Sequence, residues 1–257
     1  MRVESSAITH VGLVRRSNED NYYVNGKYKS ISGGAAEGYN DSVQRKSYLY
    51  AVCDGMGGES FGELASMIAV KTLSIYQETD LRHTIFDYIK RANMFICKEM
   101  DKFNGARIGT TVAILHFNDN KATAFNVGDS RVYLLRKGDL FLMTEDHTEA
   151  QRMVELEMID EYEAETHPAK NKLTQHLGIY PDEMIIEPYI SQEIKLKKND
   201  VFLICSDGLT DMIDADEIRE ILSMEDCSTT DIAKELAATA QTYGGRDNTT
   251  AVVIQVY

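Results

Sequence analysis

Proline is scarce in this chain, three in 257 residues. No proline-rich linker, low-complexity tract or internal repeat divides it, and the length suits one large domain spanning residues 1–257. Cysteine is scarce too. Cys53, Cys97, Cys205 and Cys227 make no Cys-x-x-Cys pair and no zinc-ligand spacing. Cys53 and Cys205 sit inside apolar runs, where a small buried thiol is an ordinary occupant. This usage favours a reducing, cytoplasmic setting. No apolar run reaches the length of a membrane span, and the Met1-Arg2-Val3-Glu4-Ser5 start lacks a signal peptide's apolar stretch. No transmembrane or regulatory extension is expected beyond the last strand. Basic residues are outnumbered 27 to 41, for a net charge of −14. That imbalance argues against nucleic acid and anionic membranes as partners. The absence of Gly-x4-Gly-Lys-Ser/Thr excludes a P-loop kinase or NTPase.

What is present is ordinary in amount, 43% hydrophobic and 26% charged, and distinctive in order. Strands are expected from Arg2 to Ile8 and from Tyr22 to Val24. Hairpins are expected from Thr110 to Phe117 with Lys121 to Val127, and from Arg131 to Arg136 with Asp139 to Met143. Helical spacing runs from Glu63 to Gln77 and, more strongly, from Leu81 to Phe103. Asp214 with Glu217 reads as a capping box, and Thr229 or Thr230 as the cap of a last helix ending at Gly244-Gly245. Gly26 to Lys46 has no clear period and reads as an exposed loop. Strands, a helix pair, then a long antiparallel stretch point to α+β layers, not to a doubly wound parallel sheet.

The chemistry-bearing feature is aspartate at the ends of apolar runs. Tyr48 to Cys53 ends in Asp54-Gly55, and Val201 to Ser206 in Asp207-Gly208. Ala122 to Val127 ends in Gly128-Asp129-Ser130, and Asp247-Asn248 precedes the run from Thr250 to Val256. A strand end holds a carboxylate at the rim of a sheet, and several rims together would make an oxygen-lined site for Mg2+ or Mn2+. Asp54, Asp207 and Asp247 are the leading ligands. A lone Asp-Gly is equally a turn signal; the repetition at strand ends is what carries the metal reading.

Read in order, several segments resemble the metal-dependent protein phosphatases of type 2C, the bacterial branch of the PPM serine/threonine phosphatases. They are Arg15-Arg16-Ser17-Asn18-Glu19-Asp20-Asn21, Ala51-Val52-Cys53-Asp54-Gly55-Met56-Gly57-Gly58, Gly109-Thr110-Thr111 and Val127-Gly128-Asp129-Ser130-Arg131. After these come His167-Pro168, Leu173-Thr174, Leu177-Gly178, Cys205-Ser206-Asp207-Gly208-Leu209 and Gly245-Arg246-Asp247-Asn248-Thr249-Thr250. The resemblance implies a sandwich of two antiparallel sheets flanked by helices on both outer faces. It implies Asp54 bridging two ions with the Gly55 carbonyl on one, Asp207 and Asp247 on the other, and Asp129 with Asp207 at a third, weaker site. Glu19 and Asp20 would act mostly through metal-bound waters. Arg15 would grip the substrate phosphate, with Arg16 its rival.

Two cations sharing a water lower its pKa, and the water can then attack phosphorus without a covalent enzyme intermediate. No cysteine nucleophile is needed, and the Cys-x5-Arg signature is missing. Met56 stands where many eukaryotic relatives have a histidine proton donor. A water on the metal is the expected donor here, with His10, His147, His167 and His176 as rivals. The segment from His147 to Gly178 matches the family's flap and carries Glu149, Glu155, Glu157, Asp160, Glu161, Glu163 and Glu165. It is either a solvated acidic face or a filter favouring basic residues around the phosphorylated side chain. The expected partner is a phosphoprotein made by a serine/threonine kinase, acted on by a monomer. A small phosphorylated metabolite as substrate, and an inactive phosphoprotein-binding module, are the alternatives.

Overall fold

The structure is a computed structural model that describes residues 2–29, 36–57, 61–103 and 106–257. In chain order the strands are β1 (Val3–His10), β2 (Asn21–Val24), β3 (Lys27–Tyr28), β4 (Ala36–Asp41), β5 (Ser47–Cys53), β6 (Gly55–Met56), β7 (Gly109–Thr110) and β8 (Val112–Asn118). Then come β9 (Lys121–Val127), β10 (Arg131–Arg136), β11 (Asp139–Leu142), β12 (Tyr189–Ile190), β13 (Ile194–Lys195), β14 (Val201–Cys205) and β15 (Thr249–Val256). The helices are α1 (Phe61–Leu73), α2 (Leu81–Lys102), α3 (Glu149–Glu155), α4 (Glu161–Thr166), α5 (Asp207–Thr210), α6 (Ala215–Leu222) and α7 (Thr229–Thr242).

Two antiparallel sheets carry the architecture. One has the order β11-β10-β14-β15-β1-β4, the other β12-β9-β8-β5-β2-β3, with β13 also on β9. Alternation along the strands builds three apolar layers. Tyr48, Tyr50 and Val52 of β5 enter the layer between the sheets with Phe117, Phe202 and Ile254. Leu49, Ala51 and Cys53 point the other way, into the layer under α1 and α2. Val253, Ala251 and Cys205 do the same on the second sheet, beneath α6 and α7. The α-β-β-α sandwich follows, with Cys53 and Cys205 both fully buried.

Several boundaries move. The Gly26-to-Lys46 stretch contains β3 and β4, with β4 pairing antiparallel to β1 at the sheet edge. The inward face of this edge strand is built from Glu37, Tyr39 and Asp41, so the sequence shows no apolar period and reads as loop. Residues 30–35 of that stretch lie outside the described residues, as does Gly58 of the Asp54 motif. The first helix ends at Leu73, and a 3-10 turn (Ser74–Tyr76) follows. Its buried face joins Met67, Val70 and Leu73 to the small residues Ala65, Ser66 and Ala69, while Leu64 and Ile68 are only half-buried. Phe95 of α2 and Phe103, just after it, stay exposed. Asp214 caps α6 through Glu217 N, but the Glu217 carboxylate accepts from Tyr243 instead of closing the expected box, and Ser228 caps α7 in a reciprocal box with Asp231. Thr229 and Thr230 bond instead to Ser6 of β1.

Candidate metal centre

One end of the sandwich gathers every strand terminus that bears a candidate residue. Antiparallel pairing sets this directly. Asn21 opposes Cys53, so Asp20 and Asp54 leave neighbouring strands at the same end. Arg131 opposes Cys205 and Cys205 opposes Ala251, which brings Asp129, Asp207 and Asp247 to that end too.

Asp54 is fixed through its main chain. Its N–H donates to Thr111 Oγ1 (3.0 Å), and its carbonyl accepts from Thr111 N and Thr110 Oγ1 (both 2.9 Å). The carboxylate is left free to turn inward against that of Asp207. Asp20 is completely buried. Its Oδ2 accepts from Ser206 Oγ (2.8 Å) and Thr250 Oγ1 (2.7 Å). Two buried oxygens, Asp20 Oδ1 and Asp207 Oδ1, have no hydrogen-bond partner among the described residues. Gly55 and Gly208 allow the strand ends to crowd. A Cβ on Gly55 would lie 2.2 Å from the Gly62 carbonyl oxygen and 2.5 Å from that of Glu19, and one on Gly208 would lie 1.9 Å from that of Asn248. Close packing of loops, more than a sharp turn, is why glycine follows each aspartate.

Crowded carboxylates raise one another's affinity for protons. Burial, reinforced by Asp20 and Asp207, holds Asp54 well above the usual carboxylate range. Burial pushes Asp20 up to about 7 against the opposing hydroxyl bonds, and Asp207 up to about 6. Asp129, in the turn between β9 and β10, is also raised well above the ordinary range, by burial and then by Asp207 and Asp146. Among the described residues no three acidic, cysteine or histidine side chains close tightly enough to enclose an ion by themselves. The carboxylates meet as a pair, Asp54 with Asp207, with Asp20 and Asp129 near enough to be felt. Orphaned anionic oxygens in such a cluster fit hard divalent cations, and the donor set is all oxygen.

Asp247 is turned outward. Its Oδ2 accepts from Arg15 Nη2 at 2.6 Å, on a guanidinium more than half exposed. Asp54 and Glu19 add to the field at Arg15. Arg16 is exposed and makes no ion pair among the described residues, so the structure brings Arg15 to the rim and leaves Arg16 in solvent. Glu19 lies against the start of α1, its Oε2 2.4 Å from where a Cβ on Gly62 would stand. The four rival histidines are engaged locally. His10, His147 and His167 accept main-chain N–H bonds at Nδ1, from Gly12, Gly128 and Ala169, and His176 Nδ1 contacts the Leu177 carbonyl. Met56 pairs with Gly109 in a short two-stranded ladder.

Asn248 is the residue that motif reading undervalued. Its Oδ1 accepts from Glu19 N (2.7 Å), and its Nδ2 donates to the Val11 (2.8 Å) and Ser17 (2.9 Å) carbonyls. One buried amide thus ties the Arg15–Glu19 loop to the start of β15. Ser206, Thr250 and Thr111 do similar work for Asp20 and Asp54. The available signal was polar residues beside apolar strands, which has no partner-specific content without the fold. In the flap, three acidic residues have structural partners. Asp160 and Glu163 form the capping box of α4, and Glu149 pairs with Lys172 at 3.7 Å. Lys170 and Asn171 tie the flap to Asp211, one turn after Asp207, at 2.8 and 2.7 Å.

The sequence profile described as Protein phosphatase 2C matches residues 18–249. The chain belongs to that family. It is 32% identical over 259 aligned residues to the serine/threonine phosphatase stp of Listeria monocytogenes, covering 96% of this chain and 93% of that one. Its fold matches the crystal structure of the Mycobacterium tuberculosis serine/threonine phosphatase PstP/Ppp with a TM-score of 0.82 at 30% identity, over 100% of this chain and 99% of that one. The PstP catalytic domain in complex with two manganese ions matches with a TM-score of 0.79 at 29% identity, over 100% and 99% of the two chains. The family's order of motifs therefore lies on the same strand ends that carry the carboxylates.

Proposed function

We propose that the chain hydrolyses phosphoserine and phosphothreonine in proteins, with divalent cations held at the Asp54–Asp207 end of the sandwich. The observation that carries this reading is the pair of abutting carboxylates with orphaned buried oxygens beside them. Asp54, the Gly55 carbonyl, Asp207 and Asp247 would hold two ions, Mn2+ or Mg2+. Asp129 with Asp207 would serve a third, weaker site, and Glu19 and Asp20 would act through water. Bound there, the ions would acidify a water and draw charge from the phosphoryl oxygens.

The chain's own residues do the rest. Thr110 and Thr111 fix the main chain of Asp54 at the strand end. Ser206 and Thr250 restrain Asp20. Arg15 sits at the open rim on an exchangeable partner, Asp247, and trades it for two oxygens of an incoming phosphate. Met56 has no proton to give, and the leaving seryl or threonyl oxygen takes its proton from water. The unpaired flap acids, Glu155, Glu157, Glu161 and Glu165, favour basic flanks on a substrate made by a serine/threonine kinase. The whole chain acts as one domain and as a monomer in a cytoplasmic setting. Among the described residues no helix is long and apolar enough to cross a membrane.

The test is hydrolysis of a phosphothreonine peptide with Mn2+ and with chelator, for the wild-type chain and Asp54→Asn. Turnover that requires Mn2+ and disappears in the variant is expected. Chelator-resistant turnover, or full activity in Asp54→Asn, contradicts the proposal.

A further inference from the structure

Lys29 follows β3 and is almost wholly enclosed, with 4% of its side chain exposed. A lysine seldom goes so deep without a task. Its Nζ donates to the Asn18 carbonyl at 2.5 Å and stands 3.8 Å from Glu63 Oε1. Its main chain is held at the same time. Lys29 N donates to Asn21 Oδ1 (3.0 Å), and Asn21 Nδ2 donates to the Lys29 carbonyl (3.4 Å). Asn18 and Asn21 bracket Glu19 and Asp20 in sequence. One residue therefore grips the acidic pair from both sides, its side chain on the residue before and its main chain on the residue after. Asn21 in turn opposes Cys53, the neighbour of Asp54, so the grip reaches the strand pair from which both aspartates emerge.

We propose that Lys29 is a positioning residue for the cation site, its buried amine holding the Asn18 carbonyl so that the Glu19–Asp20 arm keeps its place beside Asp54 and Asp207. The inference rests on the metal-dependent reading above and deepens it. Burial lowers the Lys29 pKa, while Glu63, Asp20, Glu37 and Glu19 oppose the change. The tie does not depend on that balance, because the amine donates to a carbonyl in either charge state. Charge alone would act in the opposite sense, since a cation near the ions repels them. The two roles thus predict opposite results on removing the amine.

The experiment is calorimetric titration of the full, metal-free chain with Mn2+, for the wild type, Lys29→Met and Val24→Ala. Met keeps most of the volume and has no donor. Val24→Ala weakens β2, the strand that begins at Asn21, at a fully buried apolar position. Lys29→Met is expected to bind Mn2+ roughly tenfold more weakly, as loss of an outer-shell support does. Val24→Ala is expected to melt earlier with Mn2+ affinity unchanged. Equal or tighter Mn2+ binding by folded Lys29→Met overturns the inference, and so does an equal weakening in Val24→Ala. Failure of the wild-type chain to take up Mn2+ would remove the reading on which the inference stands, and is distinguishable because the variants need not be compared.

Discussion

Strand β14 has an aspartate just beyond each end, and the two live under opposite rules. Asp200, just before the strand, is 1% exposed and fully paired. Arg136 reaches it with Nε (2.8 Å) and Nη2 (2.7 Å), and Lys197 N adds a third bond at 2.7 Å. Asp207, just after the strand, meets another carboxylate, and one of its buried oxygens bonds to nothing among the described residues. Six residues, the five of β14 and Ser206, separate them. A buried charge that serves only the fold is neutralised by the fold. One left unneutralised at considerable cost marks where something from outside must bind.

The sharpest way to break that comparison is to mutate both ends. Asp207→Asn should lower kcat by roughly 10³-fold, the scale of losing cation-based charge stabilisation, and should leave the metal-free chain at least as stable as wild type. Asp200→Ala should leave the chemistry intact but cost about 3 kcal/mol of stability by stranding Arg136. Phosphopeptide kinetics and urea unfolding of both variants decide it; the same pattern in both would dissolve the contrast.

At the rim, Arg15→Ala should raise KM for a phosphopeptide roughly tenfold or more, the scale of a charge-assisted contact. Arg16→Ala should stay within about twofold of wild type, as an exposed side chain off the site would. Steady-state kinetics on the two single variants test this, and equal effects would reassign the phosphate contact.

The acidic end should also show its character in pH. Asp20 and Asp207 have folded pKa values pushed up to about 7 and about 6, above their ordinary value near 3.8. The folded state therefore holds protons that the unfolded chain has released, so stability is greatest below the ordinary value and is lost as pH rises through 6 to 7. In chelator the unfolding midpoint should drop by about 5 °C between pH 5 and pH 8, and Mn2+ should restore it at pH 8. A flat profile in chelator would mean these carboxylates are not strained.

The flap gives the smallest effect. Replacing Glu155, Glu157, Glu161 and Glu165 with Gln should change kcat/KM for a basic phosphopeptide by about twofold to threefold and flatten its salt dependence, since exposed charges are well screened. An unchanged salt slope would leave those residues as a solvated face.

Much of this was legible before any coordinates. Long apolar runs closed by Asp-Gly place Asp54 and Asp207 at strand ends, because a strand has one period and one direction. Antiparallel hairpins such as Val112–Asn118 with Lys121–Val127 declare themselves through their turns. The edge strand β4 did not, because two of its three inward positions, Glu37 and Asp41, are acidic, and the alternation in burial leaves no apolar period. Ser228, Thr229 and Thr230 are equally good caps by chemistry; only the docking of Thr229 and Thr230 against Ser6 selects the serine. The supports of the site were least visible. Asn248 bonds to residues near the opposite end of the sequence, and Lys29 looks like any loop lysine until the hairpin folds it under Asn18.

Anomalous diffraction at the manganese edge shows whether the unneutralised end of the sandwich is built for divalent cations. Wild-type crystals grown with Mn2+ should show two peaks about 3.5–4 Å apart beside Asp54 and Asp207, and Asp207→Asn crystals should lose at least one. A wild-type crystal with abundant Mn2+ and no peak among these carboxylates would contradict the account.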